Sequence, residues 1–152
     1  MKKNLLILLL SIFIVSCSSD DDSNGRAAVD FTTIHQGALT GNGEEGINKQ
    51  NLVIKTQSDW ETLTTQMNTV NNVSDNLTDV DIDFSKYSVI AAFDEVKPNN
   101  GYGLELNVTS NSQKLFIETS ETLTDEEYVG FVHIQPYHII KIENSELPIV
   151  FE

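Results

Sequence analysis

Among its 152 residues this chain has a single cysteine, three prolines, one tryptophan and 9 Lys and Arg against 23 Asp and Glu, a formal net charge of −14. The lone Cys17 has no second cysteine to pair with, so no internal disulfide holds the fold and stability has to come from an apolar core. A chain of this length can build one, because a domain of about 150 residues buries roughly 68–70% of its unfolded surface. The shortage of basic residues argues against nucleic acid and anionic membrane surfaces as partners, since both call for clustered Lys and Arg. There is no Gly-x-Ser-x-Gly elbow for a nucleophilic serine. The glycines between Gly37 and Gly46 lack the following Lys-Ser/Thr of a phosphate loop. Acidic residues are too plentiful for counting to exclude a paired-carboxylate hydrolase, although most such residues lie on solvated faces.

The N-terminus reads Met1, Lys2, Lys3, Asn4, then an apolar run from Leu5 to Val15 broken only by Ser11, then Ser16-Cys17. This is the charged, apolar, small-residue order of an export signal. The run is too short to cross a bilayer, which takes about 20 apolar residues. Ile14-Val15-Ser16-Cys17 resembles the lipobox of bacterial lipoprotein signal peptidases. The resemblance implies residues 1–16 as a signal peptide and lipidation of Cys17, with acyl chains that each contribute about 0.8 kcal/mol per buried methylene. All 23 acidic residues follow Cys17 and two of the 9 basic ones precede it, leaving 7 against 23, or −16, after the cut. Residues 17–28, opening with Ser18-Ser19-Asp20-Asp21-Asp22, read as an acidic flexible tether. The acidic run also resembles the tag that sends lipoproteins to the cell surface in one phylum of Gram-negative bacteria. A plain solubilising spacer is the alternative.

Residues 29–152 read as a single domain. Val29, Phe31 and Thr33 alternate as in a half-buried strand. Gly37 to Gly46 is a loop leading to a short strand at Leu52 to Lys55. Ser58-Asp59-Trp60-Glu61 fits a capping box, and Trp60, Leu63 and Met67 follow at helical spacing, which predicts one short amphipathic helix with Trp60 as a packing anchor. Asn68 to Asp83 has neither period. Tyr87 to Val96 is apolar on both faces, as an interior strand is. Tyr102, Leu104, Leu106 and Val108 alternate with polar or small residues, Ser110-Asn111-Ser112 turns, and Leu115 and Ile117 continue the hairpin. Gly130 to Ile134, Tyr137 to Glu143 and Leu147 to Phe151 supply closing strands. The expected fold is mainly β (α+β), an antiparallel sandwich or barrel-like sheet with one short amphipathic helix.

Several of these segments together carry a family resemblance. Val89-Ile90-Ala91-Ala92-Phe93, Lys97-Pro98-Asn99-Asn100-Gly101-Tyr102, Gln135-Pro136-Tyr137-His138-Ile139-Ile140-Lys141-Ile142 and Pro148-Ile149-Val150-Phe151 stand in an order that resembles the C-terminal domain of the protease complex subunit PrcB family. Relatives show a Lys-Pro-Thr-Gly-Gly-Tyr loop, so Asn99 and Asn100 here depart from the pattern in its most diagnostic piece. Trp60 and Asp83-Phe84 also sit where relatives carry a Trp-led helix and an Asp-Phe. The resemblance implies an accessory domain rather than an enzyme, since the founding member binds and stabilises a surface protease.

Three constellations compete with that reading. Asp79, Asp81 and Asp83 alternate like the opening of a calcium loop, but Phe84 and Ile90 stand where its Gly and Glu belong, and a turn made by Asp83 is the simpler account. His133 and His138, five residues apart on extended chain, point to opposite faces and make a poor metal pair. His138 keeps register with Ile140 and Ile142 as a half-buried ring, and His35 shows no partner. Asn99, Asn100, Gly101 and Tyr102 are either a tight turn favouring positive φ or an exposed contact loop. The expectation is an outer-membrane, surface-exposed lipoprotein, held by its lipid and lacking cofactor and metal. It is expected to bind a protein partner, such as a protease, with a small-ligand or calcium binder as the alternative.

Overall fold

The computed structural model describes residues 25–123 and 130–152; Cys17, the signal and Asp20 to Asp22 lie outside them. In chain order the elements are β1 Ala27–Ala28, β2 Thr32–Leu39, β3 Gln50–Ile54, α1 Gln57–Met67, a 3-10 turn Val73–Asn76, β4 Tyr87–Phe93, β5 Tyr102–Ser110, β6 Leu115–Leu123, β7 Gln135–Glu143 and β8 Ile149–Phe151. They form two four-stranded sheets, β1-β5-β6-β8 and β2-β7-β4-β3. This is the mainly β sandwich with a helix that the sequence implies. Among the described residues every pairing is antiparallel except that of β6 with β8, which is parallel and is made after the chain crosses from the second sheet back to the first.

Burial on both faces of β4 and β7 explains their unbroken apolar composition. Val89, Ala91, Phe93, Tyr137 and Ile139 pack with Trp60, Leu63 and Met67 of α1, together with Ile34, Leu39 and Ile54. The alternate residues Ile90, Ala92, Ile140 and Ile142 face the other sheet and meet Leu104, Leu106, Val108, Leu115 and Ile117. The molecule is therefore three layers, helix, sheet, sheet, with the period-2 alternation of β4 and β7 dividing their side chains between two cores.

Local details depart from expectation in several places, beginning with β2, which starts at Thr32 rather than Val29 and takes in Gly37 to Leu39 that the sequence suggests as loop. Thr56, not Ser58, caps α1: its hydroxyl accepts from the Asp59 N–H at 3.2 Å and donates to Asp59 Oδ2 at 2.7 Å, so the box is Thr56-x-x-Asp59. Residues 130–134 are not a strand but a loop, tied by one isolated bridge, Ile134 with Lys97, to the loop after β4. Ala27 and Ala28, assigned to the tether, instead pair with Ser110 and Thr109 of β5. Positive φ falls at Asn42, Gly43 and Gly46 of the loop before β3, and at none of Asn99, Asn100 or Gly101. The predicted Ser110 to Ser112 turn is present, with Asn111 Oδ1 accepting the N–H groups of Gln113 and Lys114, both at 2.9 Å.

Candidate functional site

The register places Leu39, Gln50, Phe93 and Gln135 at one end of the β2-β7-β4-β3 sheet. Tyr102 and Leu123 lie at the same end of the other sheet, because Gln36 of β2 reaches Leu104 and Lys97, just beyond β4, reaches Glu121. The loop before β3, the loop after β4 and the loop before β7 therefore meet at this end, and Asn99 to Tyr102 lies within it.

Lys97 organises these loops. Its backbone exchanges both hydrogen bonds with Ile134, while its ammonium sits 3.0 Å from Asp94 Oδ2 and 3.2 Å from Glu95 Oε1 and also meets the Glu121 carboxylate. The Tyr102 ring lies under the same nitrogen, 5.3 Å from it to the centroid, within cation–π range. Burial works against the charge on Lys97, but the hydrogen bonds it donates to the carboxylates of Glu121, Asp94 and Glu95 outweigh it and raise its pKa above the ordinary value. Asp94 is buried too. Burial disfavours its anion, yet Lys49 and Lys97 hold its carboxyl below the usual range. Lys49 Nζ stands 2.7 Å from Asp94 Oδ1 as an ion-pair contact without good hydrogen-bond alignment. Buried Gln135 donates to the carbonyls of Ile47 at 2.9 Å and Asp94 at 2.8 Å, joining two of the loops.

Asn99 and Asn100 work through their side chains rather than through left-handed backbone. Asn99 Oδ1 accepts the Gly101 N–H at 2.9 Å, and Asn100 Oδ1 accepts the Gly130 N–H at 2.7 Å. Asn100 is exposed, Tyr102 half-buried and Gly101 buried. Beside this latch the chain exposes three large apolar side chains: Leu123 at 69%, Phe131 at 98% and Val132 at 52%. Sequence reasoning missed both Lys97 as the hub and Phe131 as the exposed tip. In the sequence Lys97 shows only as part of the Lys-Pro motif, and Phe131-Val132 has the composition of a strand although it lies in a loop.

The other candidates are drawn apart. Asp83 makes the expected turn, accepting from Ser85 N at 3.1 Å and pairing with Lys86 at 2.9 Å, and the Ser85 hydroxyl and Lys86 push its carboxyl down to about 2. Asp79 pairs with Lys141, and Asp81 is exposed. Among the described residues no group of three His, Cys, Asp or Glu side chains converges as metal ligands. His133 is exposed in a loop, whereas His138 is buried between the sheets. There Leu106 N–H donates to its Nδ1 at 3.1 Å, so the proton sits on Nε2, 3.0 Å from the Thr33 hydroxyl. Burial pushes the His138 pKa down to about 4. His35 does have a partner, the Tyr137 hydroxyl, 2.8 Å from its Nδ1. Comparison with protein-family models, curated proteins and solved structures found no match.

Proposed function

We propose that this chain is a lipid-anchored, non-catalytic binding module of the bacterial cell surface that docks onto a protein partner through the loop end built around Lys97 and Asn99 to Tyr102. The observation that carries the reading is the trio Leu123, Phe131 and Val132, apolar and exposed beside the Asn100–Gly130 latch. A fully exposed Phe gives no folding stability, and exposed apolar side chains on a loop end offer a contact surface. The loops beneath are held by buried ionic and amide contacts, so the surface is preorganised and loses little entropy on binding. Among the described residues Asp94, Glu95 and Glu121 converge on Lys97 and are occupied by it, which favours a structural role for them over acid–base chemistry. The resemblance to the PrcB family suggests a protease as the partner.

The test is capture of a defined partner from solubilised membranes, compared with a Leu123→Ser, Phe131→Ser double variant. Because neither side chain is buried, the variant should melt like the parent while losing the partner. Failure of the parent to retain any stable partner, or equal capture by the variant, would sink the proposal.

A further inference from the structure

The sequence holds three Asn-Gly pairs, Asn24-Gly25, Asn42-Gly43 and Asn100-Gly101, the first of which begins outside the described residues. In such a pair the glycine nitrogen can attack the side-chain amide carbon of the asparagine, because glycine has no Cβ to shield it. The attack needs an asparagine side chain that is free to turn and a glycine N–H that no acceptor holds. On both counts the two described pairs differ.

Asn100-Gly101 is blocked. The Gly101 N–H donates to Asn99 Oδ1 at 2.9 Å, Asn100 Oδ1 accepts the Gly130 N–H at 2.7 Å, and Gly101 is buried, so attack would have to break both bonds. Asn42-Gly43 is open. Asn42 is exposed at a φ of 54°, a conformation asparagine tolerates better than most residues, and Gly43 follows at 86°. Among the described residues no hydrogen bond holds the Asn42 side chain or the Gly43 N–H. The turn closes around them instead, through the Glu44 N–H to the Gly41 carbonyl and the Gly46 N–H to the Gly43 carbonyl, both at 3.0 Å.

We infer that Asn42 is a site of spontaneous deamidation, through which the loop before β3 ages to isoaspartate while the fold protects Asn100 in the same dipeptide. The Gly43 nitrogen loses its proton and bonds to Asn42 Cγ; the bond from Cγ to the side-chain nitrogen breaks, and ammonia leaves with that proton. Water, the one co-reactant, then opens the succinimide at either carbonyl, giving aspartate or isoaspartate. In isoaspartate the backbone runs through the side chain and is longer by one carbon. That carbon enters a loop with little slack. The Gly41 N–H donates to the buried Glu45 carboxylate at 2.9 Å, Gln66 of α1 donates to the carbonyls of Glu45 and Gly46, and a Cβ at Gly43 would lie 3.3 Å from Val96 Cγ2 of the loop after β4. The product therefore loosens the loop end, whatever that end binds.

The test is incubation of the full-length protein in warm, mildly alkaline buffer, followed by proteolysis and mass spectrometry that locates isoaspartate, with a second sample kept in denaturant. In the folded sample residue 42 should convert about tenfold faster than residue 100 or more, since two hydrogen bonds must break at the latter. In denaturant the two rates should converge. Asn42→Gly keeps the positive φ and removes the side-chain amide; it should melt like the fresh parent and stay so on incubation, whereas the incubated parent should melt at a lower temperature. Absence of isoaspartate at residue 42, equal rates at residues 42 and 100 in the folded protein, or a bias that persists in denaturant overturns the inference. An incubated parent that is converted at residue 42 yet melts like the fresh one overturns the loosening of the loop.

Discussion

At the scale of single residues, the polar side chains buried in this fold act as fasteners between elements. β1 covers β5 only at Ser110 and Thr109; farther along, side chains of the other sheet replace the missing strand, with Gln36 donating to the Leu104 carbonyl at 2.8 Å and His138 Nδ1 accepting from Leu106. His138 must be neutral to accept that bond, which couples the sheet contact to pH. Its folded pKa of about 4 lies below the ordinary 6.5, so between these values the unfolded chain takes up the proton and the folded one does not. Stability contributed by this residue is therefore complete above pH 6.5 and is lost as pH falls towards 4, a difference of about 3 kcal/mol. His35, lowered by burial as well, adds in the same direction. Denaturant melts across this window should show stability falling with acid in the parent and a shallower fall in His138→Gln. An unchanged slope would place the proton uptake elsewhere.

At the scale of elements, the sequence declared whatever was periodic and hid whatever depended on distant partners. β4 and β7 were legible because both faces are buried, and β5 because Leu104, Leu106 and Val108 alternate with exposed Glu105 and Asn107. The parallel docking of β8 was not legible, since Ile149–Phe151 carries no local mark of which strand it joins. The Lys97 hub was invisible for the same reason: Asp94 and Glu95 are near it in sequence, but Glu121 arrives from another strand. The helix shows a finer failure. Thr56-x-x-Asp59 and Ser58-x-x-Glu61 both match a capping pattern, and the pattern alone does not choose between them. The structure chooses Thr56, whose backbone is extended while residues 57 onward are helical; Trp60 N–H donates to its carbonyl at 3.1 Å. Thr56→Ala should consequently cost about 1 kcal/mol, the usual worth of a cap, whereas Ser58→Ala should change stability by less than about 0.5 kcal/mol. Equal losses in chemical denaturation would show that the helix starts later than Gln57.

At the scale of the whole molecule, both cores are made by residues that lie well after Cys17. They draw their buried side chains from Ile34 to Ile142, and the Arg26 guanidinium stacks 3.4 Å from the Phe116 centroid while pairing with Glu152, drawing the two ends of the folded part together. Cys17 lies upstream of every one of these contacts, and so a change there is expected to act on location rather than on folding. Cys17→Ser removes the thiol on which a diacylglycerol would be built, and with it the hold that several acyl chains provide and a single chain does not. The variant should melt at the parent's temperature, lose fatty-acid labelling, and fractionate either with the inner membrane, retaining Leu5 to Val15, or as soluble protein. Labelling that survives the substitution, together with unchanged outer-membrane partition and mobility, would refute the lipoprotein reading and leave an export signal cut at another site. Loss of folding in Cys17→Ser would refute something different: it would mean that residues before Arg26 contribute to a core whose buried members, from Ile34 onward, already account for both faces of the central sheet.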